Sequence, residues 1–181
     1  MARLRAAPGG LALIFAGLGY VVALAGGWSL AYNGSESMPR GIYLLGPADV
    51  VARGELVEAC VPSSAPIDDY AERNYLPVRP RDHCASGLAH IVKPVVAVAG
   101  DLVSVEADQV LVNGQAIDAH ISSKDRHGRS LERVGNGWSR RLGPGEFFIV
   151  SSWSPWSLDS RYFGLVSSAD IQARAWKLFT E

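Results

Sequence analysis

An uncharged run from Leu11 to Tyr32 constrains this chain more than any other feature. As a helix rising about 1.5 Å per residue, it is long enough to cross a hydrocarbon core of ~30 Å. Trp28 and Tyr32 lie near its far end, where amphipathic aromatic side chains prefer the headgroup region. Arg3 and Arg5 precede the run and no acidic residue does, so the N-terminus is expected on the cytoplasmic side and the rest of the chain outside. A cleaved signal peptide is the alternative, with Ala23-Leu24-Ala25 as the small-residue site, but the run exceeds the usual length of a signal core. The expected organisation is a short cytoplasmic segment (1–10), a transmembrane anchor (11–32) and an exported domain (33–181).

The 181 residues suffice for one domain of ordinary size, and a hydrophobic content of 48% supports a real core. The formal net charge of -1 supplies no field to recruit nucleic acid, so none is expected as a partner. Export fits the two cysteines, Cys60 and Cys84, which an oxidising compartment lets pair, so a Cys60–Cys84 disulfide is expected, with two separate buried thiols as the alternative. There is no Cys-x-x-Cys and no His-Glu-x-x-His, and the four histidines are dispersed, so neither a metal nor a cofactor is expected.

Beyond the anchor, short apolar runs are broken by Gly, Pro and Asp, which predicts a mainly β domain. Strands are expected over 41–45, 56–61, 91–98, 102–105 and 147–150. Asn113-Gly114 between two such runs predicts a hairpin with a tight type I′ turn. Segment 62–81, rich in Pro, Ser, Asp and Arg, reads as an irregular surface excursion, and 122–141 as a second polar stretch. Only 169–176 has a helical pattern.

Three stretches carry groups capable of chemistry. In Ser35-Glu36-Ser37-Met38-Pro39, Pro39 stiffens the backbone just past a serine, and a serine becomes a nucleophile only beside a base. In the run 91–101, an extended Lys93 shares a face with Ile91, Val95 and Ala97. Burial there would disfavour the ammonium and free the amine to act as a base, whereas Pro94 points to an edge strand or strand end. The chain has only three lysines, which makes one inside an apolar run conspicuous. In Ser157-Leu158-Asp159-Ser160-Arg161-Tyr162-Phe163-Gly164, Asp159 and Arg161 would share one face of a strand and pair, and Ser157 and Ser160 would offer hydroxyls.

In this order, after a membrane span, the three stretches resemble the boxes of the signal peptidase I superfamily (S26-type Ser/Lys endopeptidases). The resemblance covers nearly all of the chain after Gly34. It implies a signal-peptidase-like β domain on a single N-terminal transmembrane helix, with Ser37 as nucleophile and Lys93, followed by Gly100-Asp101, as general base. It also implies Ser35 as an oxyanion donor beside the Ser37 amide, Ser157 as the group holding the lysine amine, and Asp159, Ser160 and Arg161 as supports. Gly54-Glu55-Leu56-Val57 resembles the strand entry between the boxes. The implied location is the bacterial inner membrane with a periplasmic catalytic domain, and the implied partners are the lipid bilayer and a membrane-tethered protein substrate.

Two positions depart from a general signal peptidase. Ser151-Ser152-Trp153-Ser154 stands where Gly-Asp-Asn-Arg is usual, and Pro94 follows the lysine where a basic residue is usual. Met38-Pro39-Arg40-Gly41 and the short single-span architecture are more similar to the conjugative-transfer TraF-type peptidases, which process pilin precursors and in some systems join the trimmed chain into a ring. Trp153, Trp156 and Phe163 would then form a water-excluding rim. The alternatives are a general signal peptidase acting on signal-peptide-bearing preproteins and an inactive component of a conjugation or secretion complex.

Overall fold

The computed structural model describes residues 26–79 and 84–181. In chain order its strands are β1 (Ser29–Asn33), β2 (Gly41–Gly46), β3 (Leu56–Ala59), β4 (Ile91–Ala97), β5 (Leu102–Glu106) and β6 (Gln109–Val112). They continue with β7 (Gln115–His120), β8 (Ser139–Arg141), β9 (Glu146–Ile149), β10 (Val166–Ser167) and β11 (Ile171–Thr180). Two short helices, α1 (Ile67–Glu72) and α2 (Ser160–Phe163), complete the described elements. The strands form a seven-stranded sheet, ordered β1-β2-β11-β3-β4-β9-β10, and a four-stranded sheet, ordered β7-β6-β5-β8.

Period-two alternation builds both sheets. Along β4 the residues Ile91, Lys93, Val95 and Ala97 are buried while the intervening ones are half-buried. One core gathers Val57, Tyr70, Leu88, Val95, Ile149 and Phe163. A second unites Ala97 and Phe148 of the larger sheet with Val103, Val105 and Val110 of the smaller. The predicted hairpin turns at Asn113 (φ 52°) and Gly114 (φ 79°), the positive pair that a type I′ turn needs.

Several expectations are corrected. Segment 169–176 forms most of β11, because Ala173 and Ala175 alternate inward against Tyr43 and Leu45 while their neighbours stay more exposed. Segment 62–81 is no mere surface excursion, since α1 within it delivers the fully buried Tyr70 to the core. Pro94 sits inside the sheet rather than on an edge strand, but β9 ends at Ile149, and Pro94 gives the next residue only its carbonyl, accepting from Val150 N. Its missing N–H therefore costs no ladder bond there.

Of the expected 11–32 span, residues 11–25 lie outside the described residues. Its far end is corrected: Ser29 to Tyr32 pair with β2 as strand β1, and Trp28 stacks on Trp176. Among the described residues no helix is long and apolar enough to cross a membrane.

Candidate active site

Ser37 sits in the loop joining β1 to β2, whose ends are closed by the facing pair Asn33 and Gly41. Gly41 has φ 140°, and a Cβ there would lie 1.9 Å from the Phe179 carbonyl oxygen of β11, so only glycine fits. Met38 and Pro39 are buried and anchor the loop to the domain. Tyr43 Oη donates to the Pro39 carbonyl at 2.7 Å, and Ser151 Oγ donates to the Ser37 carbonyl at 2.6 Å. The Ser37 backbone is thus tied to the chain that follows β9.

Lys93 meets Ser37 from β4. Its Nζ lies 2.8 Å from Ser37 Oγ and 3.2 Å from the Val92 carbonyl, and the residue is only 2% exposed. Burial pulls its pKa down from 10.5 to about 8; Asp159 opposes that shift and Arg161 adds to it. Beside this pair, Ser35 Oγ stands 2.9 Å from Ser37 Oγ.

Asp159 and Arg161 are both essentially inaccessible and form a bidentate pair, with Arg161 Nε and Nη2 each 2.7 Å from a carboxylate oxygen. The pairing does not come from a strand face. Asp159 caps α2, accepting from the Arg161 amide, and the arginine folds back over its own helix start. The remaining Arg161 donors reach the carbonyls of His120, Ser151 and Ser157. A buried ion pair needs such partners to offset its desolvation. Ser160 Oγ accepts from the Ile149 amide, pinning α2 to β9.

Ser157, expected to hold the lysine amine, does not do so here. Its Oγ is buried and has no hydrogen-bond partner among the described residues, and Lys93 turns to Ser37 and Val92 instead. The expected rim is also corrected, because Phe163 is buried in the core while Trp153 and Trp156 remain exposed.

These groups open onto a cavity of about 790 Å³ lined by Ser35, Ser37, Lys93, His90, Trp156 and Ser157 among others. Five arginines also line it: Arg40, Arg73, Arg79, Arg126 and Arg129. One wall is a loop organised by Asp125, which accepts from the amides of His127 and Arg129, from Arg129 Nε and from Tyr75 Oη. Burial works against its charge, but these donors win and hold its carboxyl below the usual range.

Cys60 and Cys84 are joined in a disulfide, tying the end of β3 to the segment before β4. Both sulfurs and a His90 nitrogen lie within 4.8 Å of one another, but sulfurs bonded to each other are not the thiolates a metal takes.

The sequence reading missed three residues. Asn33, Tyr43 and Ser151 all hold the Ser37 loop through side-chain bonds. Only Ser151 had a local signal, as a departure from the usual box. Asn33 and Tyr43 read as ordinary strand residues.

A family model for signal peptidases, peptidase S26, matches residues 10–179. The chain is 32% identical over 163 residues to the plasmid transfer protein TraF of Escherichia coli, covering 88% of this chain and 89% of that protein. It is 33% identical over 171 residues to the conjugal transfer protein TraF of Agrobacterium tumefaciens, covering 93% and 92% respectively. Among solved structures, a signal peptidase I from Enterococcus faecalis aligns at 18% identity with a TM-score of 0.38, over 71% of this chain and 98% of that one. With a family model spanning nearly its whole length and relatives above 30% identity on either side, the chain belongs to the S26 signal peptidase family.

Proposed function

We propose that this protein is a membrane-anchored serine endopeptidase with a Ser37/Lys93 dyad, which processes an exported, membrane-tethered precursor, in particular a conjugative pilin. The observation that carries the reading is the approach of Lys93 Nζ to 2.8 Å from Ser37 Oγ, with the amine buried and its pKa near 8. A neutral amine at that distance takes the hydroxyl proton as Ser37 Oγ attacks the scissile carbonyl. The oxyanion is then met by the Ser35 hydroxyl and the Ser37 amide, a kind of contact worth about 3 kcal/mol per donor. Lys93 next returns the proton to the leaving amine, and an acyl ester remains on Ser37.

The pilin substrate is read from the resemblance of the Met-Pro-Arg-Gly run at 38–41 to the conjugative-transfer peptidases, and the names of the two TraF relatives, which speak of plasmid and conjugal transfer, support that branch. Anchoring is read from the uncharged run that begins at Leu11 behind two arginines, with the catalytic domain on the periplasmic side. Water or an amine can resolve the ester. A tethered amine has a high effective concentration, and Trp156, which lines the cavity, would help to exclude water. We therefore assign cyclisation to the product, which an intact mass lower than the linear chain by one water would establish.

The test is processing of a co-expressed pilin precursor by Ser37→Ala and Lys93→Arg variants that still accumulate in the membrane. Both should be inactive, because arginine cannot supply a neutral base. Substantial processing by Lys93→Arg would overturn the dyad. Rescue of a strain depleted of its leader peptidase would move the substrate from pilins to signal peptides in general.

A further inference from the structure

Asn33, the last residue of β1, makes more contacts with the nucleophile loop than any residue the dyad reading uses. Its Nδ2 is spread over the carbonyls of Ser35, Met38 and Pro39 at 3.1–3.2 Å. Its Oδ1 accepts from the Ser35 amide at 3.1 Å and from the Ser35 hydroxyl at 2.7 Å. The amide has only one satisfactory orientation, since its oxygen faces a backbone N–H and its nitrogen faces carbonyls. Those three carbonyls flank Ser37 on both sides.

A serine hydroxyl has a single proton. With that of Ser35 on Asn33 Oδ1, Ser35 Oγ presents only lone pairs to Ser37 Oγ, 2.9 Å away. The resting bonds then run in one direction, from Lys93 to Ser37 to Ser35 to Asn33, while Lys93 carries its proton. Once Lys93 is neutral, Ser37 can turn its proton to Nζ, and among the described residues no other side chain is hydrogen-bonded to that amine.

We propose that Asn33 is a positioning residue that sets the hydroxyl of Ser35 and the backbone around Ser37 for attack, without touching substrate itself. The inference rests on the dyad reading above. Asn33 holds the Ser35 oxygen in place, so that only the O–H bond must swing from Asn33 Oδ1 to a forming oxyanion. Moving one proton through a torsion requires far less rearrangement than recruiting a mobile side chain, which is the advantage of a preorganised donor. Position 33 accepts few substitutes, because the group must donate to carbonyls on one side and accept from a hydroxyl on the other.

The experiment is a double-mutant cycle on the full chain in detergent micelles. The readout is the maximal rate at which a fluorophosphonate probe modifies Ser37, followed by intact mass, with thermal melts in parallel. The probe presents a phosphoryl oxygen to the same donors as an oxyanion. Asn33→Ala and Ser35→Ala should each slow modification at least about tenfold, and the double variant should be no slower than the slower single one. Rates that multiply in the double variant, or a wild-type rate in Asn33→Ala, would overturn the proposal. An Asn33→Ala chain that does not fold would do the same, by making the role structural only. The Ser37→Ala control isolates the reading beneath: if it is modified as fast as wild type, or wild type is not modified at all, the dyad assignment fails and this inference fails with it.

Discussion

Lys93 shows how one residue can be costly to the fold and useful to the chemistry. Its pKa is lowered from 10.5 to about 8, chiefly by burial, so the folded state favours the neutral amine. Between those two values the unfolded chain binds a proton that the folded chain does not, and below about 8 the full cost of charging the buried amine applies. That cost is about 3 kcal/mol. Lys93→Met should therefore be more stable than wild type at pH 7 by up to about 3 kcal/mol in urea denaturation, with the gain fading as pH rises toward 10.5. The same shift sets the rate: processing should rise with pH through about 8 and level off. A rate still climbing steeply past pH 10 would show that the amine is not desolvated.

At the scale of elements, the β1–β2 loop is held at its closing pair and the segment before β4 at its disulfide. Gly41→Ala would drive a methyl group into the Phe179 carbonyl of β11, so the hairpin must shift away from the sheet. We expect loss of Ser37 modification together with a lowered melting temperature; a variant with wild-type melting and wild-type rate would contradict the close approach. The Cys60–Cys84 bridge spans 24 residues of sequence, and a loop of that size stabilises by about 3 kcal/mol. The double Cys60→Ser, Cys84→Ser variant should lose about that much in denaturant titration. Periplasmically matured wild-type protein should show no free thiol by alkylation and mass spectrometry.

For the whole molecule, the outer part of the larger sheet is unusual for its exposed apolar side chains. Tyr32, Ile42 and Phe179 are cross-strand partners on β1, β2 and β11, and Tyr32 and Phe179 are 74% and 75% exposed. Leu30 adds to the same face two residues away. Contiguous apolar surface of this kind marks a place that meets another apolar phase. Because β1 takes up the last residues of the uncharged N-terminal run, this face would lie against the bilayer under the anchored reading proposed above. Replacing Leu30, Ile42 and Phe179 together by serine should slow cleavage of a membrane-tethered precursor several-fold, while Ser37 modification by a small soluble probe stays unchanged. Equal loss of both would place the defect in the site itself.

Alternation and turn chemistry made much of the fold legible before any coordinates. The Asn113-Gly114 hairpin and the inward face of β4, with Lys93 on it, are local properties, set by a period of two and by which residues tolerate positive φ. The order of the serine, lysine and Asp-Ser-Arg boxes was likewise visible, because each is a contiguous run. Tertiary structure alone decided the rest. It placed 171–176 of the apparent helix 169–176 in β11, since a strand buried between β2 and β3 overrides a weak local preference. It placed Asp159 as a helix cap, left Ser157 Oγ without a hydrogen-bond partner among the described residues, and brought Asn33, Tyr43 and Ser151 around the Ser37 loop. Serine 151 is 114 residues from Ser37 and Lys93 is 56, and contacts across such separations leave no periodicity or motif in the chain to be read. Periodicity assigns a side chain to a face, and only the packed sheet determines what that face meets.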